Sequence, residues 1–232
     1  TEYQLTPEIY KHAIKVLRMK VGDIFELVDY VEVVHKMEIT KIEDGKAKAT
    51  SVEVIPSDVE LPADVTIACG ISNNDKADWI VQKGTEMGAT KFIFFVGDYS
   101  VAKWDKKRSS KKVQRLQKIA RSAAEQSHRT KIPEVTFVEK LKDIDFEKND
   151  ARIVAYEESA KKGESGNLFK ILNKKPSNII AIFGPEGGIS PKEIEFLEAN
   201  SFILAGLGPR IMRAETAPLY FLASLSFALE LS

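Results

Sequence analysis

The stretch Gly184-Pro185-Glu186-Gly187-Gly188 sets one carboxylate among three glycines and a proline, directly after the apolar run 178–183. Glycines let a ligand approach the main chain and leave N–H and C=O groups free to pair with it. Ser190, Pro191 and Glu193 then write a helix start: a capping serine, proline at the first helical position, glutamate three residues after the cap. The loop therefore joins a strand end to a helix, the place where open α/β sheets bind ligands. A plain turn with a helix cap uses the same residues, so this loop alone leaves both readings open. A second glycine-bearing loop, 207–217, follows the apolar run 202–206 and leads into the last helix, with Thr216 as candidate cap and Pro218 in the first turn. Two such loops predict a two-walled cleft. Arg210, Arg213 and Glu215 lie in the second, with Arg213 and Glu215 expected to form an ion pair that ties it down.

Other chemistries lack their residues. The phosphate loop G-x-x-x-x-G-K-[ST] and the dinucleotide pattern G-x-G-x-x-G are both absent, which argues against a nucleoside triphosphate or a dinucleotide. His12, His35 and His128 are far apart and Cys69 is the single cysteine, so no metal site is expected. No G-x-S-x-G nucleophile elbow occurs. Cys69 stands in an apolar run and reads as buried and structural, in a chain suited to a reducing, cytoplasmic compartment.

Formal net charge is zero, yet the segment 100–131 holds eleven Lys/Arg against Asp105 and Glu125. At about 100° per residue, Val113, Leu116, Ala120, Ala123 and Ala124 share one face of a helix over 109–128. Lys111, Arg115, Lys118, Ser122, Glu125 and Arg129 fall on the other. A solvated face would mix signs for i,i+4 pairing; this stripe is nearly all positive and predicts contact with a nucleic-acid backbone. Trp104 is a candidate for base stacking, though a lone tryptophan is more often packed.

These residues need a scaffold. The stretch 23–55 reads as short β-strands with an Asp44-Gly45 hairpin turn, a small all-β unit closed by a proline-bounded linker, 56–62. Beyond it, strands at 65–70, 91–96, 152–156, 178–183 and 202–208 alternate with helices at 75–88, 109–128, 190–199 and 216–231. That alternation predicts an α/β domain with a mostly parallel sheet covered on both faces. The expected domains are 1–60 and 61–232. The C-terminal helix is too short and too interrupted by serines and a glutamate for a membrane span. No signal peptide opens the chain, and Thr1 in place of methionine suggests a short missing native N-terminus.

The chain resembles the RsmE family, the 16S ribosomal RNA uridine-N3 methyltransferases of the SPOUT superfamily. The resemblance rests on five motifs in order: 12–23 (HAIKVLRMKVGD), 75–95 (DKADWIVQKGTEMGATKFIFF), 118–135 (KIARSAAEQSHRTKIPEV), 182–190 (IFGPEGGIS) and 207–217 (LGPRIMRAETA). Gly84 stands where alanine is usual, and the family's first strand, ahead of the His12 motif, is expected to be missing.

The resemblance implies an N-terminal PUA-like β-barrel that binds RNA and a SPOUT methyltransferase domain with a deep trefoil knot. It implies a homodimer, S-adenosyl-L-methionine (SAM) as cofactor, and methylation of one uridine in 16S rRNA of the small ribosomal subunit. Phe183, Gly184, Glu186, Gly187 and Gly188 would form one wall of the SAM pocket. Leu207, Gly208, Ile211, Arg213, Thr216 and Ala217 would form the other, and a Gly187→Val side chain would intrude on the pocket. Arg18, Lys83, Lys111, Arg115, Lys118, Gln126 and Arg129 would contact RNA. Uridine N3 must lose a proton before it attacks a methyl group, so a base and a cation are needed. Glu125 and Glu186 are the base candidates; Arg210 and Arg129 are the cation candidates. The alternatives are a SPOUT ribose 2′-O-methyltransferase and a non-catalytic RNA-binding assembly factor.

Overall fold

The structure, a computed structural model, describes residues 2–72, 76–104, 106–157 and 166–231. Asp75, the expected start of a helix, and Asp105, one of the two acids of the basic segment, lie outside the described residues. The chain forms two compact units, Thr1–Val59 and Glu60–Ser232.

The first unit is a four-stranded antiparallel sheet in the order β1-β4-β3-β2: β1 Glu2–Gln4, β2 Ile24–Val28, β3 Val34–Glu43 and β4 Lys46–Ile55. Asp44 and Gly45 both take positive φ (48° and 72°), the requirement of a two-residue hairpin turn whose twist matches its strands. β1 corrects the expectation that no strand precedes the His12 motif: Tyr3 pairs with Ala49. Thr6 caps helix α1 (Pro7–Tyr10), which continues as a π-helical turn, Lys11–Val16. Leu5, Met37, Ala47 and Ala49 form the core of the unit, with Ile9, Tyr10 and Ile14 packed over them. Just past the π turn, exposed Arg18 holds φ 57°, a left-handed conformation that costs a non-glycine residue about 1–2 kcal/mol.

The second unit is a six-stranded, all-parallel sheet in the order β10-β8-β9-β5-β6-β7. The strands are β5 Asp64–Gly70, β6 Lys91–Phe95, β7 Glu134–Val138, β8 Ala151–Ala155, β9 Asn178–Phe183 and β10 Ile203–Ala205. The helices are α2 Lys76–Glu86, α3 Lys106–Gln126, α4 Asn167–Leu172, α5 Pro191–Ala199 and α6 Ala217–Glu230. In β9 the period-two alternation sends Ile179, Ala181 and Phe183 to a core shared with residues of α2, α3 and α6, and Ile180 and Ile182 to a core shared with α5. Both faces are buried, which is why the strand reads as one unbroken apolar run. Gly84 has a packing reason: a Cβ there would come within 2.7 Å of the Phe92 ring.

Strand β7 and helix α4 carry no clear signal in the sequence. Nor is Glu60 a linker residue. Its carboxylate accepts hydrogen bonds from Arg129 and from the backbone N–H groups of Thr130 and Lys131.

Candidate active site

All six strands run parallel, so their carboxyl ends share one edge. The two glycine-bearing loops leave that edge from β9 and β10, and strand order reverses between β5 and β9 there. Between the loops lies a cleft of about 910 Å³, lined by residues 183–189, residues 207–214 and Ala217, with Tyr156 and Glu157 beyond β8 and Lys76 at the start of α2. Phe183, Gly184, Glu186, Gly187, Gly188, Leu207, Gly208, Arg210, Ile211, Arg213 and Ala217 therefore all border one space. Thr216 does not. It occupies the N-cap position of α6 with a helical backbone and makes no side-chain capping bond, so the capping reading of Thr216 is corrected.

The first wall is fixed from three directions. The expected capping box forms: Ser190 Oγ accepts from Glu193 N at 3.2 Å, and Glu193 Oε2 accepts from Ser190 N at 2.9 Å. Ser190 also donates to Asp98, whose N–H bonds Glu193 Oε1 at 3.0 Å, tying in the loop after β6. Gly70 must be glycine because a Cβ there would lie 2.5 Å from Pro185 Cδ. Gly187 lacks a Cβ for a related reason: it would sit 2.8 Å from Tyr99 Cβ. A Gly187→Val side chain therefore strikes Tyr99 and displaces that loop, a correction to the expected intrusion on the pocket. Gly188 (φ 80°) is the bare position, with nothing within 4 Å of the place a Cβ would take. Gly208 (φ 92°) is nearly as open on the other wall, where a Cβ would meet only the Tyr220 hydroxyl, at 3.9 Å.

The charges depart from expectation. Glu215 does not pair with Arg213; its Oε2 lies 3.4 Å from Lys76 Nζ, which is also 2.8 Å from Glu186 Oε1. Burial pushes the Glu186 carboxyl up, but the Lys76 hydrogen bond and a backbone N–H outweigh it and hold the group below the ordinary glutamate range. The Glu186 carboxylate, with Glu215 beside it, in turn raises Lys76. A carboxylate so held is a fixed counter-charge and a weak base. Arg210 and Arg213 are exposed along the cleft and have no acidic partner among the described residues.

Glu125 is excluded as a base acting in the cleft of its own chain. Helix α3 starts beyond the carboxyl end of β6 and runs back to the amino end of β7; from Lys106 to Glu125 it rises about 28 Å. Arg129 is corrected as well. It is 6% exposed, and its guanidinium is spent on Glu60 and on the carbonyls of Thr85 and Ala89, so it serves neither RNA nor the uridine. Trp104 is buried between the rings of Phe94 and Phe137, at 5.7 and 5.5 Å, and is not free to stack on a base.

The apolar face of α3 is as expected, with Leu116, Ala120, Ala123 and Ala124 buried. On its outer face, Lys111, Arg115 and Lys118 border a shallow groove of about 410 Å³. Arg115 pairs with Asp78 of α2, whereas Lys111 and Lys118 have no acidic partner among the described residues. Lys83 pairs with Glu86 and lies over the Trp79 ring; Gln126 is exposed at the helix end. In the first unit, Ser51, His35 and Asp29 are linked at 3.1 and 3.0 Å in the order of a hydrolytic triad. Asp29 also accepts from the N–H groups of Val31 and Val33, so the linkage staples the β2–β3 turn. Burial pushes the Cys69 thiol far up, making it an inert core residue. Among the described residues no group of metal-ligand side chains converges, and no helix is long and apolar enough to cross a membrane.

Residues 59–226 match the family model described as an RNA methyltransferase domain, and residues 5–50 match an RNA methyltransferase PUA domain. The ribosomal RNA small subunit methyltransferase E of Bacillus subtilis (strain 168) is 40% identical over 236 residues, covering 99% of this chain and 91% of that one. A crystal structure of a ribosomal RNA small subunit methyltransferase E from Neisseria gonorrhoeae bound to S-adenosyl methionine superposes with a TM-score of 0.82 at 28% identity, over 97% of this chain and 91% of the other. A crystal structure of a hypothetical protein gives a TM-score of 0.92 at 37% identity, over 99% and 93%.

Proposed function

Because the chain belongs to the ribosomal RNA small subunit methyltransferase E (RsmE) family of SPOUT fold, we propose that it transfers a methyl group from SAM to N3 of one uridine in 16S rRNA of the small ribosomal subunit. The observation that carries this reading is the two-walled cleft at the ends of β8, β9 and β10. Its volume, about 910 Å³, is within the range of roughly 300–1,000 Å³ found for small-molecule sites. Bare main chain at Gly188 and Gly208 suits a nucleoside read by backbone groups, and the Neisseria relative carries SAM.

SAM supplies an electrophilic methyl group when bound. The walls 184–188 and 207–213 hold and orient it. Glu186 is a counter-charge beside the cleft, not the base. Arg210 is the cation: deprotonated uridine carries negative charge on O2 and O4, and a guanidinium there stabilises that anion, so that N3 gives up its proton to solvent water or hydroxide without a fixed carboxylate base. N3 lies on the pairing edge, so the uridine must be unpaired or flipped.

The RNA is held by residues 1–60 through Arg18 and by the α3 groove through Lys111 and Lys118, with Gln126 at the end of that helix. The strained, exposed backbone of Arg18 favours a ligand role over a packing one. A homodimer is supported by the stripe of Tyr220 and Phe227 on α6 and Leu231 just past its end, which is 38–73% exposed and suits a second copy better than water. The chain is assigned to the cytoplasm, where ribosomal subunits are made. The deciding experiment is SAM-dependent methyl incorporation into small-subunit RNA, with the methyl mapped to its atom. N3 of a uridine supports the reading; a ribose O2′ product replaces it with 2′-O transfer, and absence of SAM binding leaves an RNA-binding assembly factor.

A further inference from the structure

Lys76 is the first residue of α2, where the aligned peptide dipoles disfavour a cation. The acid of that first turn, Asp78, is taken by Arg115. Helix stability gives no reason for a lysine here, but the cleft does. The Lys76 ammonium is 2.8 Å from Glu186, in the loop after β9, and 3.4 Å from Glu215, in the loop after β10. One side chain from a third element thus reaches both walls. Lys76 and Glu215 are only 22% and 20% exposed, so their attraction is screened less than that of a surface pair. Glu215 Oε2 is buried and accepts no hydrogen bond among the described residues; the Lys76 ammonium beside it offsets the cost of that burial. Remove that ammonium and two carboxylates, one of them buried, face each other across the gap and push the walls apart.

We propose that Lys76 is a positioning residue that sets the spacing of the cofactor cleft by holding Glu186 and Glu215 together. The inference rests on the SAM reading of the cleft and concerns binding, not the chemical step. Loss of the tie weakens SAM while leaving RNA affinity, which depends on other surfaces, unchanged. It also predicts that the two walls are coupled through Lys76: once Lys76 is gone, neutralising either glutamate relieves repulsion where before it cost affinity.

The test is calorimetric titration of the full chain with SAM, for wild type, Lys76→Met, Lys76→Arg, Glu186→Gln, Glu215→Gln and the two double variants with Lys76→Met. Thermal unfolding and RNA binding are measured alongside. Lys76→Met is expected to weaken SAM binding about tenfold to a hundredfold with unchanged RNA affinity, and Lys76→Arg to recover most of it. Glu186→Gln and Glu215→Gln should each weaken binding in the wild-type background and strengthen it in the Lys76→Met background. Wild-type affinity in Lys76→Met, or additive effects in either pair, overturns the tie. A wild-type chain that binds no SAM overturns the cofactor reading itself. Should Lys76→Met unfold, the same cycles run with Lys76→Gln, which also removes the charge, decide the matter by the same non-additivity.

Discussion

Arg129→Ala separates a structural arginine from an RNA contact. In the folded chain its Nε bonds both Glu60 oxygens at 3.2 and 3.1 Å, and its Nη1 bonds the carbonyls of Thr85 and Ala89 at 2.9 and 2.6 Å. Truncation strips two carbonyls of their donor and leaves the Glu60 carboxylate with the N–H groups of Thr130 and Lys131. Breaking one partner of a buried pair costs about 3–5 kcal/mol. Glu60 keeps two backbone donors and its side chain is 18% exposed, so the lower end applies, about 3 kcal/mol. At about 2–4 °C per kcal/mol for a domain of this size, the unfolding midpoint should fall by about 6–12 °C. Differential scanning calorimetry reads this, and RNA binding across salt supplies the control. A lost phosphate contact would lower the slope of log affinity against log salt by about 0.7–0.9; for Arg129 no change is expected. A variant that melts with wild type yet loses that slope refutes the structural assignment. The pair also sets an acid limb. Burial pushes Glu60 up, but Arg129 and the backbone N–H groups outweigh it, and its folded value is below 4.5. Its contribution is therefore complete above pH 4.5 and lost as pH falls through the lower folded value, and Glu60→Gln should remove that dependence.

Gly188→Ala should keep the fold, at a left-handed strain of about 1 kcal/mol, and weaken SAM binding by calorimetry; Gly187→Val should lower the unfolding midpoint too, because its side chain meets Tyr99. Lys111→Glu with Lys118→Glu should reduce the salt slope of RNA binding, while Arg115→Glu alone, with Asp78 already beside it, should change the slope less. With Arg210 as the cation and no carboxylate base, the methylation rate should rise with pH toward the ionisation of uridine itself and show no inflection near pH 4–6; a plateau above such an inflection restores a carboxylate base. Assembled small subunits should be methylated faster than naked 16S rRNA or a short hairpin, and Arg18→Ala should lower that rate while leaving SAM affinity intact; equal rates on all three substrates would remove the docking role of Arg18.

What the sequence made legible was local. The capping box at Ser190 and Glu193 needs three residues, the Asp44-Gly45 hairpin two, and the apolar face of α3 repeats every turn; each is written in neighbouring positions and each is found. Strand β7, Glu134–Val138, escaped because Glu134 and Thr136 interrupt its apolar residues, unlike the near-continuous apolar run of β6. Gly187 showed that a glycine in a ligand loop need not be small for the ligand's sake, since its missing Cβ faces Tyr99. The ion pairs were beyond reach for a different reason. Charge patterning proposes partners a few residues apart, as it did for Arg213 with Glu215. Lys76 and Glu186 are 110 residues apart, and Arg129 and Glu60 are 69 apart. Both pairs depend on strand order: β5 lies between β9 and β6, and only that arrangement brings the start of α2 to the glycine loop after β9. The two glycine-bearing walls of the cleft could thus be read from motif, whereas the parts of its lining from other elements, Lys76, Tyr156 and Glu157, and the electrostatics that decide which carboxylate is a base and which arginine is free required the sheet.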